Sequence, residues 1–213
     1  MSATRKYFGT DGVRHRANSG PLAPENILRL AKAAGAYFKT KDPAVPRAVI
    51  GRDTRLSGDM IEAALIAGLS STGIDISLCG VVPTPATALM ARDTDAGFGV
   101  MITASHNQFE DNGIKFFGPD GCKLSDADEL AIEALMEAPG TAAAPSHMGR
   151  TGVLTDAGSR YIDIARKTFP GGLDLSSHKI VLDCANGAEF QTAPEIFSGL
   201  DAKEIIQIGV SRD

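Results

Sequence analysis

The stretch AGFGVMITASHNQFEDNGIKFF (Ala96–Phe117) decides how this chain is read. Its apolar first part, Ala96–Thr103, predicts a buried strand, which stops abruptly at Ala104-Ser105-His106-Asn107. Asp111-Asn112-Gly113 predicts a tight turn, because Asn-Gly readily supplies the positive φ angles of a hairpin. That turn returns Ile114–Phe117 along the first strand and carries Lys115 towards Ser105. A serine at a strand end, beside a histidine and ten residues before a lysine, fits a hydroxyl that is activated or phosphorylated. The hydroxyl is a weak nucleophile unaided, and any charge it carries needs donors and cations nearby. The alternative is a hairpin whose polar residues merely face solvent, and a short Ser-His-Asn string does not decide between the two.

Outward from this stretch, strand-like and helix-like segments alternate. The pattern predicts an α/β fold with a mixed, mainly parallel sheet covered by helices. Pro24–Thr40 carries Ile27, Leu28, Leu30, Ala31, Ala34, Tyr37 and Phe38 at helical spacing. Arg47–Gly51 and Asp75–Cys79 read as strands, with a helix between them capped by Ser57 or Asp59. Pro83–Arg92 holds a short helix, and Ser125–Glu137 a helix with a serine cap and an acidic first turn. Ala138–Gly152 is rich in Ala, Pro, Gly and Ser without periodicity, the composition of a boundary. The chain is therefore divided into a first domain (1–140), a connection (141–155) and the beginning of a second, similar α/β domain (156–213).

At 213 residues the chain can bury one large core or two small ones. Twenty-one basic against 26 acidic residues, a net charge of −5, argue against nonspecific nucleic-acid binding. No apolar stretch approaches the length of a membrane span, so neither nucleic acid nor membrane is an expected partner. Cys79, Cys122 and Cys184 form no metal or redox pair, and their odd number suits a reducing cytoplasm. Arg52 and Arg55 of Gly51-Arg52-Asp53-Thr54-Arg55 could contact phosphate, but ion pairs with Asp53 and Asp59 that lock the loop are preferred.

TASHN followed by DNGIKFF resembles the active-site loop of the α-D-phosphohexomutase superfamily, in which the serine carries a phosphoryl group. Lys6–Arg14 (KYFGTDGVR) is similar to the amino-terminal signature of its phosphoglucosamine mutase branch. GRDTRLSG (Gly51–Gly58), GVVPTPA (Gly80–Ala86) and VLDCANGA (Val181–Ala188) follow in the family's order. Two positions depart from the pattern: Gln108 stands where proline is usual, and His15 where glycine is usual.

The resemblance implies Ser105 as phosphoryl carrier, His106, Lys115 and Arg14 as catalytic residues, and Gly9, Thr10 and Asn107 around the substrate's phosphate. It implies an intramolecular phosphotransferase that interconverts glucosamine 6-phosphate and glucosamine 1-phosphate through a 1,6-bisphosphate. Phosphoglucomutase or phosphomannomutase activity is the rival within the superfamily, and a non-catalytic fragment the rival outside it. Expected cofactors are Mg²⁺ and glucose or glucosamine 1,6-bisphosphate as phosphoryl activator. The expected partner is an amino-sugar phosphate, with room for a homodimer. The family's acidic DGDGD-type metal loop does not occur in these 213 residues, which leaves the phosphoryl oxygen on Ser105 as the metal ligand of this chain. The chain thus looks like the amino-terminal part of such an enzyme, inactive by itself.

Overall fold

The computed structural model describes residues 5–44, 47–138 and 142–211. Outside the described residues lie 1–4, 45–46, 139–141 and 212–213, which include the outer ends of the expected domains and the first residue of the expected connection. In chain order the elements are β1 (Val13–Arg16), α1 (Pro24–Lys41), β2 (Arg47–Arg52), α2 (Gly58–Ser71), β3 (Asp75–Val81), α3 (Thr84–Asp93) and β4 (Phe98–Ile102). They continue with β5 (Asp111–Phe117), α4 (Asp126–Met136), β6 (Thr151–Val153), α5 (Ala157–Lys167), β7 (Lys179–Asp183), α6 (Thr192–Ser198) and β8 (Glu204–Ile208).

Six strands form one sheet in the order β1-β5-β4-β2-β3-β6. β4, β2, β3 and β6 run parallel, whereas β5 is antiparallel to both β4 and β1. All five residues of β4 are buried, as a strand covered on both faces requires. Residues of α1, α2 and α4 pack on one face, where Phe38 stacks on Phe98 with ring centroids 3.9 Å apart. Residues of α3 and α5 pack on the other, around Val49, Met90 and Ala157. β6 lies within the stretch that composition marks as a connection, yet it pairs with β3 and forms an edge of this sheet. β7 and β8 form a separate parallel pair joined through α6, the start of a second α/β unit. Among the described residues no helix is long and apolar enough to cross a membrane.

The turn expected at Asp111-Asn112-Gly113 does not form. These residues open β5, with Asn112 opposite His15 and Gly113 opposite Arg14, and the hairpin closes through residues 103–110 instead. The glycine answers to crowding, not to a positive φ. A Cβ on Gly113 would stand 2.6 Å from the Thr103 carbonyl oxygen and 2.8 Å from that of Val13. The Asn112 side chain donates to Ser57 Oγ at 2.9 Å, so Ser57 anchors β5 and makes no side-chain cap to α2.

α4 holds the amino-terminal segment in place. Ser125 and Asp128 form a capping box at its start. One turn further on, the buried Glu129 pairs with Arg5 (2.5 Å) and Lys123 (2.6 Å). Glu133, also buried, accepts the backbone N–H groups of Lys6, Tyr7 and Phe8 at 2.8, 2.6 and 2.7 Å. Glu133→Ala is expected to lower the unfolding free energy by roughly 2–4 kcal/mol, because hydrogen bonds to a charged acceptor are lost and buried donors stay unmet. Glu133→Gln, which keeps one acceptor oxygen, should cost less; urea titrations of the three proteins check the order.

Candidate active site

Arg52 and Ile102 are register partners at the carboxyl ends of the parallel strands β2 and β4, where α/β proteins gather ligand-binding groups. The loops that follow these strands, with Thr84 at the start of α3 and Cys184–Glu189 after β7, line a cleft of about 750 Å³. Ser105, His106 and Asn107 are on its wall. Ser105 is exposed and left-handed, with φ of 59°. That conformation costs a non-glycine residue about 1–2 kcal/mol and persists only where the surroundings enforce it.

Here they do. The Ser105 N–H donates to Thr103 Oγ1 at 3.0 Å, and the Thr103 hydroxyl donates to Asp53 Oδ2 at 2.7 Å. Arg55 reaches under the loop. Its Nη2 donates to the carbonyls of Ser105 (3.1 Å) and Asn107 (2.8 Å), its Nη1 to those of Gln108 (2.5 Å) and Asp111 (3.0 Å). Its Nε pairs with Asp53 at 3.0 Å, while Arg52 pairs with Asp59 at 2.7 Å. Both arginines therefore make the structural ion pairs expected of them. The four carbonyl contacts of Arg55 carry no sequence signal. In an extended chain, adjacent side chains point apart; the left-handed Ser105 instead leaves its Oγ 3.3 Å from His106 Nδ1. Asn107 Nδ2 donates to Asp111 at 2.9 Å.

A second group of expected residues gathers on Asp11. Gly9 N–H donates to the Gly12 carbonyl at 2.8 Å, and this turn, with Thr10, Lys6–Phe8 and Arg14, lines a cavity of about 370 Å³. Asp11 takes an ion pair from Lys115 Nζ at 2.6 Å and another from Arg14. Buried Arg14 Nε has no hydrogen-bond partner among the described residues. Lys115 faces Met101 in the β4–β5 ladder, and Met101 lines the serine cleft. Among the described residues no hydrogen bond or ion pair joins Lys115, Arg14, Gly9 or Thr10 to Ser105. Asp11, the junction of this group, was visible in sequence only as an acid between two glycines.

Residues 5–142 match the family described as phosphoglucomutase/phosphomannomutase, alpha/beta/alpha domain I. The chain belongs to this family. Among similar phosphoglucomutase/phosphomannomutase relatives are the phosphoglucosamine mutases of Cereibacter sphaeroides (strain ATCC 17025) and Caulobacter vibrioides (strain NA1000 / CB15N). They are 54% identical over 210 and 211 residues, covering 99% and 98% of this chain but 47% of each relative. The chain thus spans about half the length of the curated relatives it matches. A phosphoglucomutase/phosphomannomutase family protein from Burkholderia thailandensis superposes with a TM-score of 0.81 at 21% identity, over 99% of this chain and 45% of that one. A candidate phosphomannomutase from Thermus thermophilus gives 0.81 at 30% identity, over 98% and 46%.

The described residues contain no cluster of three His, Cys, Asp or Glu able to hold a metal. The acids of the serine loop are already engaged, Asp53 with Thr103 and Arg55 and Asp111 with Asn107. They do not make a magnesium site by themselves. Asp11 has its own electrostatic signature: partial burial pushes its carboxyl up, but the hydrogen bond and charge of Lys115, with the charge of Arg14, outweigh this and hold it below the ordinary carboxylate range. A depressed folded-state value gives stability that is present above the unfolded pKa of about 3.9 and lost as pH falls through the folded one. Asp11→Asn should therefore be less stable than the parent at neutral pH, and the gap should close on acidification below about pH 4. Thermal melts at stepped pH measure it.

Proposed function

We propose that this chain is the phosphoserine-bearing, amino-terminal part of a phosphoglucosamine mutase, which interconverts glucosamine 6-phosphate and glucosamine 1-phosphate. The observation that carries the reading is Ser105, held left-handed at the end of β4 in a chain 54% identical to phosphoglucosamine mutases. Phosphoryl transfer asks a protein for in-line positioning and charge neutralisation more than for covalent chemistry. In the proposed cycle the P–O bond at Ser105 Oγ breaks as one forms to the free hydroxyl of the sugar phosphate, giving a 1,6-bisphosphate. The bisphosphate turns, and its other phosphoryl group returns to Ser105. His106, 3.3 Å from Ser105 Oγ, is placed to hold the proton at that oxygen. Lys115 and Arg14 supply positive charge to the phosphoryl oxygens, and Gly9, Thr10 and Asn107 complete the phosphate's surroundings.

The first unit keeps β6 and α5 on its sheet beyond the expected end near residue 140, and the second unit opens with β7. Mg²⁺ is the metal of the whole enzyme on this reading, with the phosphoryl oxygen of Ser105 the ligand this chain supplies and the remaining ligands provided beyond it. Glucose or glucosamine 1,6-bisphosphate primes the serine. The product serves UDP-N-acetylglucosamine synthesis in the bacterial cytoplasm. Glucose or mannose phosphate specificity is the second reading, supported by the Thermus thermophilus structure titled as a candidate phosphomannomutase.

In a complete protein carrying this chain, Ser105→Ala should remove nearly all mutase turnover, and peptide mapping should find the phosphoryl group on residue 105. Phosphate on Thr103 or Ser125 instead sinks the assignment. Lys115→Met should lower kcat by about 10²–10³ with a smaller change in KM, the pattern of a group acting in the transition state. The 213-residue chain alone should not convert glucosamine 6-phosphate.

A further inference from the structure

The serine loop is organised from below by one side chain outside the expected catalytic set. Arg55 gathers four backbone carbonyls, those of Ser105, Asn107, Gln108 and Asp111, onto a single guanidinium. Its side chain is 11% exposed, and Asp53 at 3.0 Å balances its charge. In a trans peptide the N–H points opposite to the C=O. Three of the clamped carbonyls therefore turn the N–H groups of His106, Gln108 and Phe109 away from Arg55. Those three N–H groups carry no hydrogen bond among the described residues. Successive unpaired N–H groups in a short loop form an anion-binding concavity; Gln108 and Phe109 make such a pair, while His106 is set apart by Asn107, whose N–H donates to the Ala104 carbonyl at 3.2 Å. Ser105 Oγ, the atom expected to bear a dianionic phosphoryl group, lies within this same loop.

We infer that Arg55 is a positioning residue for the phosphoryl-bearing Ser105. It fixes the left-handed serine backbone, keeps the carbonyl oxygens away from the phosphoryl group, and presents the N–H groups of His106, Gln108 and Phe109 to it. Thr103 is its accessory, since its hydroxyl accepts the Ser105 N–H and itself donates a hydrogen bond to Asp53. The inference rests on Ser105 as phosphoryl carrier. It assigns Arg55 no contact with substrate. A lysine cannot replace it, because an ammonium is a point charge without the planar fork that reaches several acceptors at once.

The test uses the 213-residue chain with phosphoserine encoded genetically at position 105, so that it does not depend on whether the serine is phosphorylated naturally. In ¹H–¹⁵N spectra, phosphoserine should move the amide protons of residues 106, 108 and 109 downfield relative to the unmodified chain. Arg55→Lys should abolish the shift while circular dichroism stays that of the parent. If Arg55→Lys unfolds, Thr103→Val gives the same reading by releasing the Ser105 N–H. Amides unmoved by the phosphate, or a full downfield shift retained in Arg55→Lys, overturn the inference. In a complete protein, Arg55→Lys should lower kcat about 100-fold, the order expected of a reacting group displaced by about 1 Å, with KM within about threefold. Added guanidinium should restore turnover to Arg55→Ala where ammonium does not. Unchanged kcat in Arg55→Lys also overturns it, whereas absence of phosphate on Ser105 in the unaltered protein overturns the mutase reading instead.

Discussion

β5 runs against its parallel neighbour, and the site depends on that reversal. A strand added in parallel would need a long crossover, and its loop would leave the carboxyl end of β4. Returning antiparallel, β5 keeps residues 103–110 as a short arch over that end and brings the amino-terminal strand β1 to the sheet's far side. Three backbones then crowd at Gly113, where no side chain fits. Through β5 the amino-terminal turn reaches the interior of the sheet: Lys115 in the strand meets Asp11 in the turn. Arg14 and Lys115 come from chain segments about a hundred residues apart, and this ladder is what brings both to Asp11.

Charge is handled differently on the two sides of the serine loop. Below it, Arg55 and Asp53 neutralise each other in a largely buried pair, and the arginine's remaining donors are met by carbonyls. Such a pair adds little net stability unless its hydrogen bonds are satisfied, as these are. Beside the loop, Asp11 takes both Lys115 and Arg14, two cations on one carboxylate, so the cluster keeps a positive excess. On the proposed reading, a phosphoryl group would gain from that excess. The back of the molecule is the reverse: Glu129 and Glu133, buried on α4, receive cations and backbone donors from the amino-terminal segment. The same short segment is thus gripped by acids at residues 5–8 and brings Asp11 and Arg14 to the cluster with Lys115.

Much of this was legible in the sequence, and the exceptions have physical causes. The long helices and buried strands follow from periodicity: Pro24–Thr40 and Ser125–Glu137 match α1 and α4 to within a residue at each end. β1 and β6 escaped notice because they are edge strands of four and three residues, too short for an alternating pattern. The Asn-Gly pair misled for a related reason. It favours a turn locally, but a strand supplied from a hundred residues upstream drew it into a ladder. Ser105, His106 and Asn107, singled out in the sequence as neighbours, lie together on the wall of one cleft. Arg55 was read as an ion-pair partner, which it is; its carbonyl clamp depends on a loop conformation that no spacing rule encodes.

The cleft has a second wall, and a hydrogen bond reaches it from the loop after β2. Thr54 Oγ1 donates to the Asn186 carbonyl at 2.8 Å, joining the loop after β2 to the loop after β7. A neutral hydrogen bond of this kind is worth about 0.5–1.5 kcal/mol, and water can replace it once the cleft parts. At this rim the loops after β2 and β7 are therefore joined by a bond that water can replace, whereas elsewhere α5 stays tied to α6 through the Arg166 donation to the Glu195 carbonyl.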